Sequence, residues 1–322
     1  MITLTDILAA RDRLAGQAVL TPLLEVPALN DLAGGRVLLK AEPLQKTGSF
    51  KFRGAYNRIA MMTPEERARG VVAFSAGNHA QGVAAAARRF DMAATIVMPS
   101  DAPAIKLRNT RRLGAEVVTY DRQRDDREAI AREVQARSGA ILIPPYDDEG
   151  VMAGQGTIGL EIAGQCAALG LVPDLLACPV GGGGLMAGIA TALAVLLPAT
   201  RLYAVEPEGH DDTARSLAAG KRLANEGAPA SICDAILTAI PGQTTFPVLK
   251  AHLTGGVAVS DAAVRDAVNL LYDEAKLVVE PGGAVGLAAI LSGALPLDGG
   301  SAVVVLSGGN IDRAVFAGDI AV

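Results

Sequence analysis

The chain of 322 residues contains no tryptophan, three histidines and three cysteines. Cys166, Cys178 and Cys233 are scattered, odd in number and without Cys-x-x-Cys spacing, which argues against a disulfide framework. Such residues are typical of small buried side chains in a reducing compartment. Apolar stretches such as residues 193–197 are far shorter than the ~20 residues that a membrane-spanning helix needs. The sequence therefore predicts a soluble, cytoplasmic protein with no membrane partner.

The sequence also has no excess of basic residues. The 29 lysines and arginines are outnumbered by 34 aspartates and glutamates, which gives a formal net charge of -5. No basic stripe is visible, so nucleic acid is not an expected partner. Residues 1–16 are amphipathic and charged, with neither an apolar core nor a cleavage site, and they do not predict a secretory signal.

Short β-branched runs alternate with helix-length amphipathic stretches along the chain. This alternation is typical of parallel sheets joined by crossover helices, and it predicts an α/β fold. The predicted strands are Arg36–Lys40, Gly70–Phe74, Ala94–Met98, Glu116–Tyr120, Ile141–Ile143, Leu175–Pro179, Arg201–Val205 and Ala302–Leu306. The predicted helices are His79–Arg88, Ala104–Leu113, Asp126–Arg137, Gly154–Leu169 and Gly184–Leu197.

The chain length suits two lobes better than a single small core. Residues 70–148 contain four strand–helix units and are predicted to form a smaller domain. The flanking segments, 1–69 and 149–322, are then expected to form the larger domain together.

Four polar or glycine-rich segments follow predicted strands, where open α/β sheets bind ligands. The first is the lysine motif, Lys46–Ala55, which places Lys51 between Phe50 and Phe52 at a helix start. Partial desolvation there lowers the pKa of a lysine and frees its amine for Schiff-base chemistry. A capped helix with an exposed lysine is the alternative interpretation.

The asparagine motif, Ser75–Gly82, follows the second predicted strand. Its small residues let backbone amides approach a carboxylate at the start of the next helix, and Asn78 offers a side-chain amide. The serine motif, Ser307–Asn310, delivers a hydroxyl that can hydrogen-bond a ring nitrogen. Taken singly, the two motifs are equally consistent with a capped helix start and a plain turn.

The glycine loop, Gly181–Gly184, lies between a strand and a helix. Consecutive glycines expose successive N–H groups to a phosphate, and the helix dipole assists. Four glycines in a row are costly in chain entropy, which favours a functional role. The loop is neither a Walker motif nor a strict Gly-x-Gly-x-x-Gly, so a nucleotide is disfavoured.

In this order and spacing, the four motifs resemble the fold-type II pyridoxal-phosphate enzymes, within them the branch of threonine dehydratase, serine racemase and 3-hydroxyaspartate dehydratase. The resemblance runs from Thr21 to Asp312 and implies a two-lobed fold like that of the tryptophan synthase β subunit, with the larger domain binding the cofactor. It also implies cofactor roles for Lys51 as the Schiff-base lysine, Phe50 against the ring, Asn78 on the ring 3′-oxygen, Gly181, Gly182, Gly183 and Gly184 on the phosphate, and Ser307 at the pyridine nitrogen.

The same resemblance favours elimination over other reactions. A neutral hydroxyl at Ser307 makes the cofactor a weaker electron sink than a carboxylate would, which favours prompt expulsion of a β-leaving group. Serine racemases are similar but carry a second serine at the position of Ala76, so efficient racemisation is not expected. Cysteine synthase-like enzymes, which catalyse β-replacement, are a further alternative. The asparagine motif and the Glu-Pro-Gly-Gly stretch at residues 280–283 resemble the dehydratase branch more than they resemble those enzymes. A non-catalytic protein that retains the family fold only for binding or regulation is a further alternative.

The predicted substrate contacts are Ser75, Ala76, Gly77, Asn78 and His79, together with Arg127. Arg127 falls where serine racemases and 3-hydroxyaspartate dehydratases resemble one another in carrying an arginine, which can clamp a second carboxylate. The Lys-Phe-Arg form of the lysine motif also resembles the hydroxyaspartate enzymes. These features favour 3-hydroxyaspartate, with threonine and serine as the alternative; a solvated basic turn is the other interpretation of Arg127.

A second site is predicted at residues 206–212. Glu206 and Asp212, with the backbone carbonyl of His210 between them, suit a hard divalent cation such as Mg²⁺, Ca²⁺ or Mn²⁺, and their spacing resembles the metal site of serine racemase-like enzymes. An acidic loop is the alternative. The chain ends at Val322, so no isoleucine-binding regulatory domain is expected, and a homodimer or larger homo-oligomer is the expected assembly.

Overall fold

The computed structural model describes residues 1–75, 77–102, 104–121, 124–227 and 229–318. Ala76, one of the predicted substrate residues, lies outside the described residues.

Two sheets are present in the described part of the chain. The larger has the strand order β1-β2-β10-β7-β8-β9 and the smaller β5-β4-β3-β6. Every pairing is parallel except that of β1 with β2. The strands are β1 Leu23–Glu25, β2 Arg36–Ala41, β3 Val71–Phe74, β4 Ala94–Pro99, β5 Glu116–Tyr120, β6 Ile141–Leu142, β7 Leu175–Pro179, β8 Arg201–Pro207, β9 Gly255–Val259 and β10 Ser301–Leu306.

Helices cover both faces of the large sheet, so its central strands β7 and β10 are buried throughout and, apart from Ser301, apolar. The helices are α1 Leu4–Leu14, α2 Pro27–Ala33, α3 Lys51–Ala60, α4 Pro64–Ala68, α5 Asn78–Arg89, α6 Ala104–Arg112, α7 Arg127–Ser138, α8 Glu149–Ala168, α9 Gly184–Leu196, α10 Asp212–Ala219, α11 Thr245–His252, α12 Asp261–Asp273, α13 Pro281–Leu291 and α14 Arg313–Gly318. None of these described helices combines the length and apolarity needed to cross a bilayer.

The predicted α/β fold of parallel sheets is confirmed, and all eight predicted strands and five predicted helices are present. The smaller sheet is built entirely from residues 71–142, whereas strands before and after this segment form the larger one. The exact domain boundaries at 69/70 and 148/149 stay a prediction.

A buried ion cluster, formed by Lys40, Glu42, Arg53 and Glu161, joins β2 and α3 to α8. The guanidinium of Arg53 donates to both oxygens of Glu42 at 2.8 and 2.9 Å and to both oxygens of Glu161 at 2.6 and 2.9 Å. Lys40 donates to Glu161 at 2.6 Å. Burial lowers the pKa of Arg53, but the two carboxylates outweigh it and raise that pKa above its ordinary value. The cluster therefore balances two buried cations against two carboxylates.

Candidate active site

Three of the four motifs begin where a parallel strand ends. The asparagine motif follows β3, the glycine loop follows β7 by one residue, and the serine motif follows β10. The carboxyl ends of strands from both sheets thereby border one cavity of about 280 Å³.

Every predicted cofactor or substrate residue that the structure describes borders this cavity. They are Phe50, Lys51, Ser75, Gly77, Asn78, His79, Arg127, Gly181, Gly182, Gly183, Gly184 and Ser307. The structure thus brings together residues from five distant segments of the chain. The individual roles assigned to these residues stay predictions.

Lys51 is the first residue of α3, and the backbone before it is tied to the serine motif. The N–H of Phe50 donates to the carbonyl of Ser307 at 3.1 Å. The Nζ of Lys51 donates to the carbonyl of Pro145 at 2.6 Å and lies 5.1 Å from the centroid of the Phe50 ring. Burial lowers the pKa of Lys51 to about 8, although Glu280 opposes this shift. An amine that loses its proton near neutral pH is suited to act as a nucleophile or a base.

His79 is buried and neutral. Its Nε2 lies 2.8 Å from the carbonyl oxygen of Ile143, and because a carbonyl only accepts, Nε2 must be the protonated nitrogen. Burial, and then the charge of Lys51, lower the pKa of His79 to about 3. Its Nδ1 has no hydrogen-bond partner among the described residues. His79 therefore carries an unused acceptor beside the cavity rather than a positive charge.

Hydrogen bonds to a backbone carbonyl fix the position of the glycine loop. The carbonyl of Gly182 accepts hydrogen bonds from Thr245 Oγ1 at 2.7 Å and from the N–H of Gly242 at 3.2 Å. The ring of Tyr146 packs so closely on Gly182 that a Cβ there would overlap it. The loop leads directly into α9, where N–H groups and the helix dipole favour an anion. This arrangement can hold a phosphate.

Arg127 lies at the mouth of the cavity as the first residue of α7, whose N-cap is Asp126. Its guanidinium carbon is 5.5 Å from the centroid of the Phe74 ring, a cation–π distance. The Arg127 side chain is exposed. Burial raises the pKa of the neighbouring Tyr146, and the charge of Arg127 opposes this shift. Arg127 therefore places a positive charge at the edge of the cavity.

Several cavity residues are not predicted by local sequence patterns. Pro145 and Tyr146 follow β6, and Glu280 precedes α13 in the Glu-Pro-Gly-Gly stretch. Asp234 and Thr238 come from a segment without regular structure. The strand end before Pro145 and the glycines after Glu280 were usable signals, whereas nothing in the local sequence singles out Thr238.

The predicted metal residues lie apart from the cavity. Glu206 is at the end of β8, and its carboxylate accepts the N–H groups of Thr213 at 3.0 Å and Ala214 at 2.8 Å. Asp212 Oδ1 accepts from Asn225 Nδ2 at 2.7 Å, while Asp212 Oδ2 is buried without a partner among the described residues. Burial raises the pKa of Glu206 to about 8 and that of Asp212 to about 6, and Asp212 adds to the shift of Glu206.

The His210 ring bonds the carbonyl of Pro229 at 2.7 Å. Within the described ranges, no three or more His, Cys, Asp and Glu side chains are grouped to hold a metal. The predicted set needs only two such side chains plus the His210 carbonyl, and the unpartnered oxygen of Asp212 fits a cation. A bound ion stays a prediction.

The chain belongs to the pyridoxal-phosphate-dependent enzymes: residues 16–308 match the family described as "Pyridoxal-phosphate dependent enzyme". A lysine that can form a Schiff base is the feature that this cofactor class requires, and the buried Lys51 lines the cavity. Within the family, the chain belongs to the fold-type II branch of the threonine and hydroxyaspartate ammonia-lyases and serine racemase.

Two curated relatives and one solved structure illustrate the similarity. The chain is 44% identical to L-threonine ammonia-lyase of Thermotoga maritima, over 97% of this chain and 76% of that protein. It is 42% identical to L-threo-3-hydroxyaspartate ammonia-lyase of Pseudomonas sp., over 97% and 96% of the two chains. The crystal structure of T.th. threonine deaminase superposes with a TM-score of 0.91 at 46% identity, covering 97% of this chain and 99% of that one.

Proposed function

We propose that this protein is a pyridoxal-phosphate-dependent ammonia-lyase that converts 3-hydroxyaspartate to oxaloacetate and ammonia. The observation that carries the substrate assignment is Arg127 at the mouth of the cavity that Lys51 also lines. Similarity to the Pseudomonas L-threo-3-hydroxyaspartate ammonia-lyase supports it.

The residues of the cavity fit the cofactor. The glycine loop would hold its phosphate, Asn78 its 3′-oxygen and Ser307 its ring nitrogen, with Phe50 against the ring. Pyridoxal phosphate, when bound, supplies an electron sink for the α-carbon of the substrate. Lys51 would attach to the cofactor covalently and, once displaced by the substrate amine, would remove the α-proton.

Ser75–His79 would hold the α-carboxylate of the substrate through backbone N–H groups at the start of α5. The β-hydroxyl then leaves as water, and the α-amino group leaves as ammonia when water adds back, so that the net reaction releases ammonia alone. The far carboxylate is the group that distinguishes 3-hydroxyaspartate from threonine and serine. A planar guanidinium can bind it with two parallel hydrogen bonds.

A catabolic threonine or serine ammonia-lyase is the second candidate. Similarity to the Thermotoga threonine ammonia-lyase favours it, as does the exposure of Arg127, which is compatible with a merely solvated residue. Racemisation is a weaker candidate, because this sequence has Ala76, whose side chain carries no exchangeable proton, where serine racemases carry a second serine.

Arg127→Ala distinguishes the first two candidates. If Arg127 binds the far carboxylate, the variant loses about 1.5–3 kcal/mol of transition-state binding, or roughly 10- to 150-fold in kcat/KM, for 3-hydroxyaspartate. Threonine and serine have no second carboxylate, so their kcat/KM values change little. The measurement is steady-state turnover of the three substrates by the holoenzyme.

Arg132→Ala is the matched control. Arg132 lies on the same helix, pairs with Asp126 and Glu128 at 3.9 and 3.7 Å, and does not line the cavity. It should leave all three substrates unaffected. A wild-type preference for threonine, or an equal loss on every substrate in Arg127→Ala, would assign the protein to the second candidate.

A divalent cation at Glu206 and Asp212 is also proposed, and it predicts an ion-dependent stability. The folded-state pKa values of both groups lie above their ordinary values, so without a cation stability is lost as pH rises through about 6 and 8, where the folded pair ionises. Added Mg²⁺, Ca²⁺ or Mn²⁺ should raise the thermal midpoint, and more at pH 8 than at pH 5, because protons compete with the ion.

The measurement is thermal unfolding with chelator and with added ion, for wild type and Asp212→Asn. The variant should no longer respond to either treatment. Asp211→Asn is the control, since its carboxylate pairs with Arg215 at 3.1 Å instead. A wild-type midpoint that ignores chelator and every ion at pH 8 would remove the cation from the proposal.

A further inference from the structure

Asn78 is held from both sides by a chain of hydrogen bonds that the proposed function leaves unexplained. Its Nδ2 donates to Glu280 Oε1 at 2.6 Å, and its Oδ1 accepts from Asn310 Nδ2 at 2.7 Å. Asn310 Nδ2 also donates to the carbonyl of Thr47 at 2.7 Å. This hydrogen-bond chain therefore links four segments of the chain, with the Asn78 carboxamide in its middle.

The orientation of the Asn78 carboxamide follows from the groups at the two ends of the hydrogen-bond chain, the Thr47 carbonyl and the Glu280 carboxylate. A backbone carbonyl only accepts, so the Asn310 atom facing Thr47 must be its nitrogen. That nitrogen also faces Asn78, which must then present its oxygen to Asn310. The carboxylate of Glu280, at the other end, requires the nitrogen of Asn78. Both ends independently select the same orientation.

Two glycines make room for this arrangement. A Cβ on Gly308 would overlap Glu280 Oε1 and lie 3.2 Å from Asn78 Nδ2. A Cβ on Gly48, whose φ is +73°, would lie 2.7 Å from Asn310 Oδ1. The glycines of the lysine and serine motifs thus allow close approach to the network, in addition to shaping turns.

We infer that Glu280 and Asn310 are positioning residues, which hold the Asn78 carboxamide with an N–H group, not its oxygen, available to the cofactor. Glu280 uses one hydrogen of Asn78 Nδ2 and leaves the other for a ligand. Asn78 and Glu280 line the cavity, whereas Asn310 does not, so Asn310 acts through Asn78. This inference rests on the proposed function in that the cavity binds pyridoxal phosphate.

A double-mutant cycle tests it on apoprotein titrated with pyridoxal phosphate. Asn310→Ala alone should weaken cofactor affinity roughly 2- to 13-fold, the loss expected for one hydrogen bond. In an Asn78→Ala background the same substitution should change affinity by less than about twofold, because the group that it positions is gone. If the Asn78→Ala apoprotein shows no cooperative unfolding transition, it is not properly folded, and the cycle is run with Asn78→Ser instead.

Glu280 supplies a second comparison. Glu280→Gln keeps an acceptor oxygen for Asn78 Nδ2 and should bind the cofactor more tightly than Glu280→Ala, which keeps none. Thermal midpoints of the apoproteins show whether a loss of affinity merely follows a loss of stability.

Equal effects of Asn310→Ala in both backgrounds, or no effect in the wild-type background, would overturn the positioning role. Equal affinities for Glu280→Gln and Glu280→Ala would overturn it for Glu280. If wild-type protein itself takes up no pyridoxal phosphate, the proposed function fails instead, and the two failures are thereby distinguished.

Discussion

Lys51→Ala is expected to abolish the visible absorbance of the cofactor-bound protein and to lower turnover at least roughly 100- to 10,000-fold. The range is that of a positioned acid–base group, and loss of covalent attachment adds to it. The structural basis is an amine at the start of α3 that lines the cavity and whose pKa burial lowers to about 8. The measurement is an absorbance spectrum of the reconstituted variant, followed by borohydride reduction and peptide mass mapping.

Lys46→Ala is the matched control, because Lys46 lies in the same motif but does not line the cavity. It should keep the absorbance band and the turnover. Cofactor found on another lysine of wild-type protein after reduction would show that Lys51 is not the attachment site.

The pKa of Lys51 also sets the pH dependence of cofactor attachment. Only the neutral amine is nucleophilic, so the rate of attachment to apoprotein should rise with pH up to about 8 and level off above it.

Arg53→Leu is expected to lower the free energy of unfolding by about 3–5 kcal/mol, the cost of removing one partner from a buried ion pair. Arg53 is 1% exposed and carries four hydrogen bonds to Glu42 and Glu161, whose carboxylates would be left with Lys40 as their compensating cation. Urea unfolding of the apoprotein measures the effect.

Arg58→Leu provides the comparison on the same helix. Its pair with Asp148 is about a quarter exposed, at 24% and 20% for the two side chains, so its loss should cost about 1 kcal/mol or less. Similar losses for Arg53→Leu and Arg58→Leu would mean that the buried cluster contributes no more than a surface pair.

The sequence was most informative where local pattern and burial agree. Strands such as β7 and β10 are buried on both faces, so their short continuous apolar runs predict them correctly. Three of the four motifs can be recognised because each follows such a strand. Strand β9 was missed because it begins with Gly255 and Gly256, and glycine lowers strand propensity. The three-residue β1 is too short to produce a pattern.

Local sequence patterns do not predict which residues from distant segments come into contact. Arg53 was noted only as part of the Lys-Phe-Arg form, yet its partner Glu161 lies 108 positions away, so burial and pairing could not be foreseen. Glu280 likewise reaches Asn78 across 202 positions. Tyr146 looks like any residue in a proline-rich turn until the fold places its ring on the glycine loop.

The central place of β10 in the large sheet has a consequence for synthesis of the chain. This strand pairs with β2 on one side and β7 on the other, and Asn310, just beyond it, bonds Thr47 across 263 positions. Until β10 has left the ribosome, β2 and β7 have no strand between them, and long-range pairings of this kind form slowly. The nascent protein therefore has no complete cofactor cavity, and a chain released early exposes two unpaired strand edges instead of an enzyme.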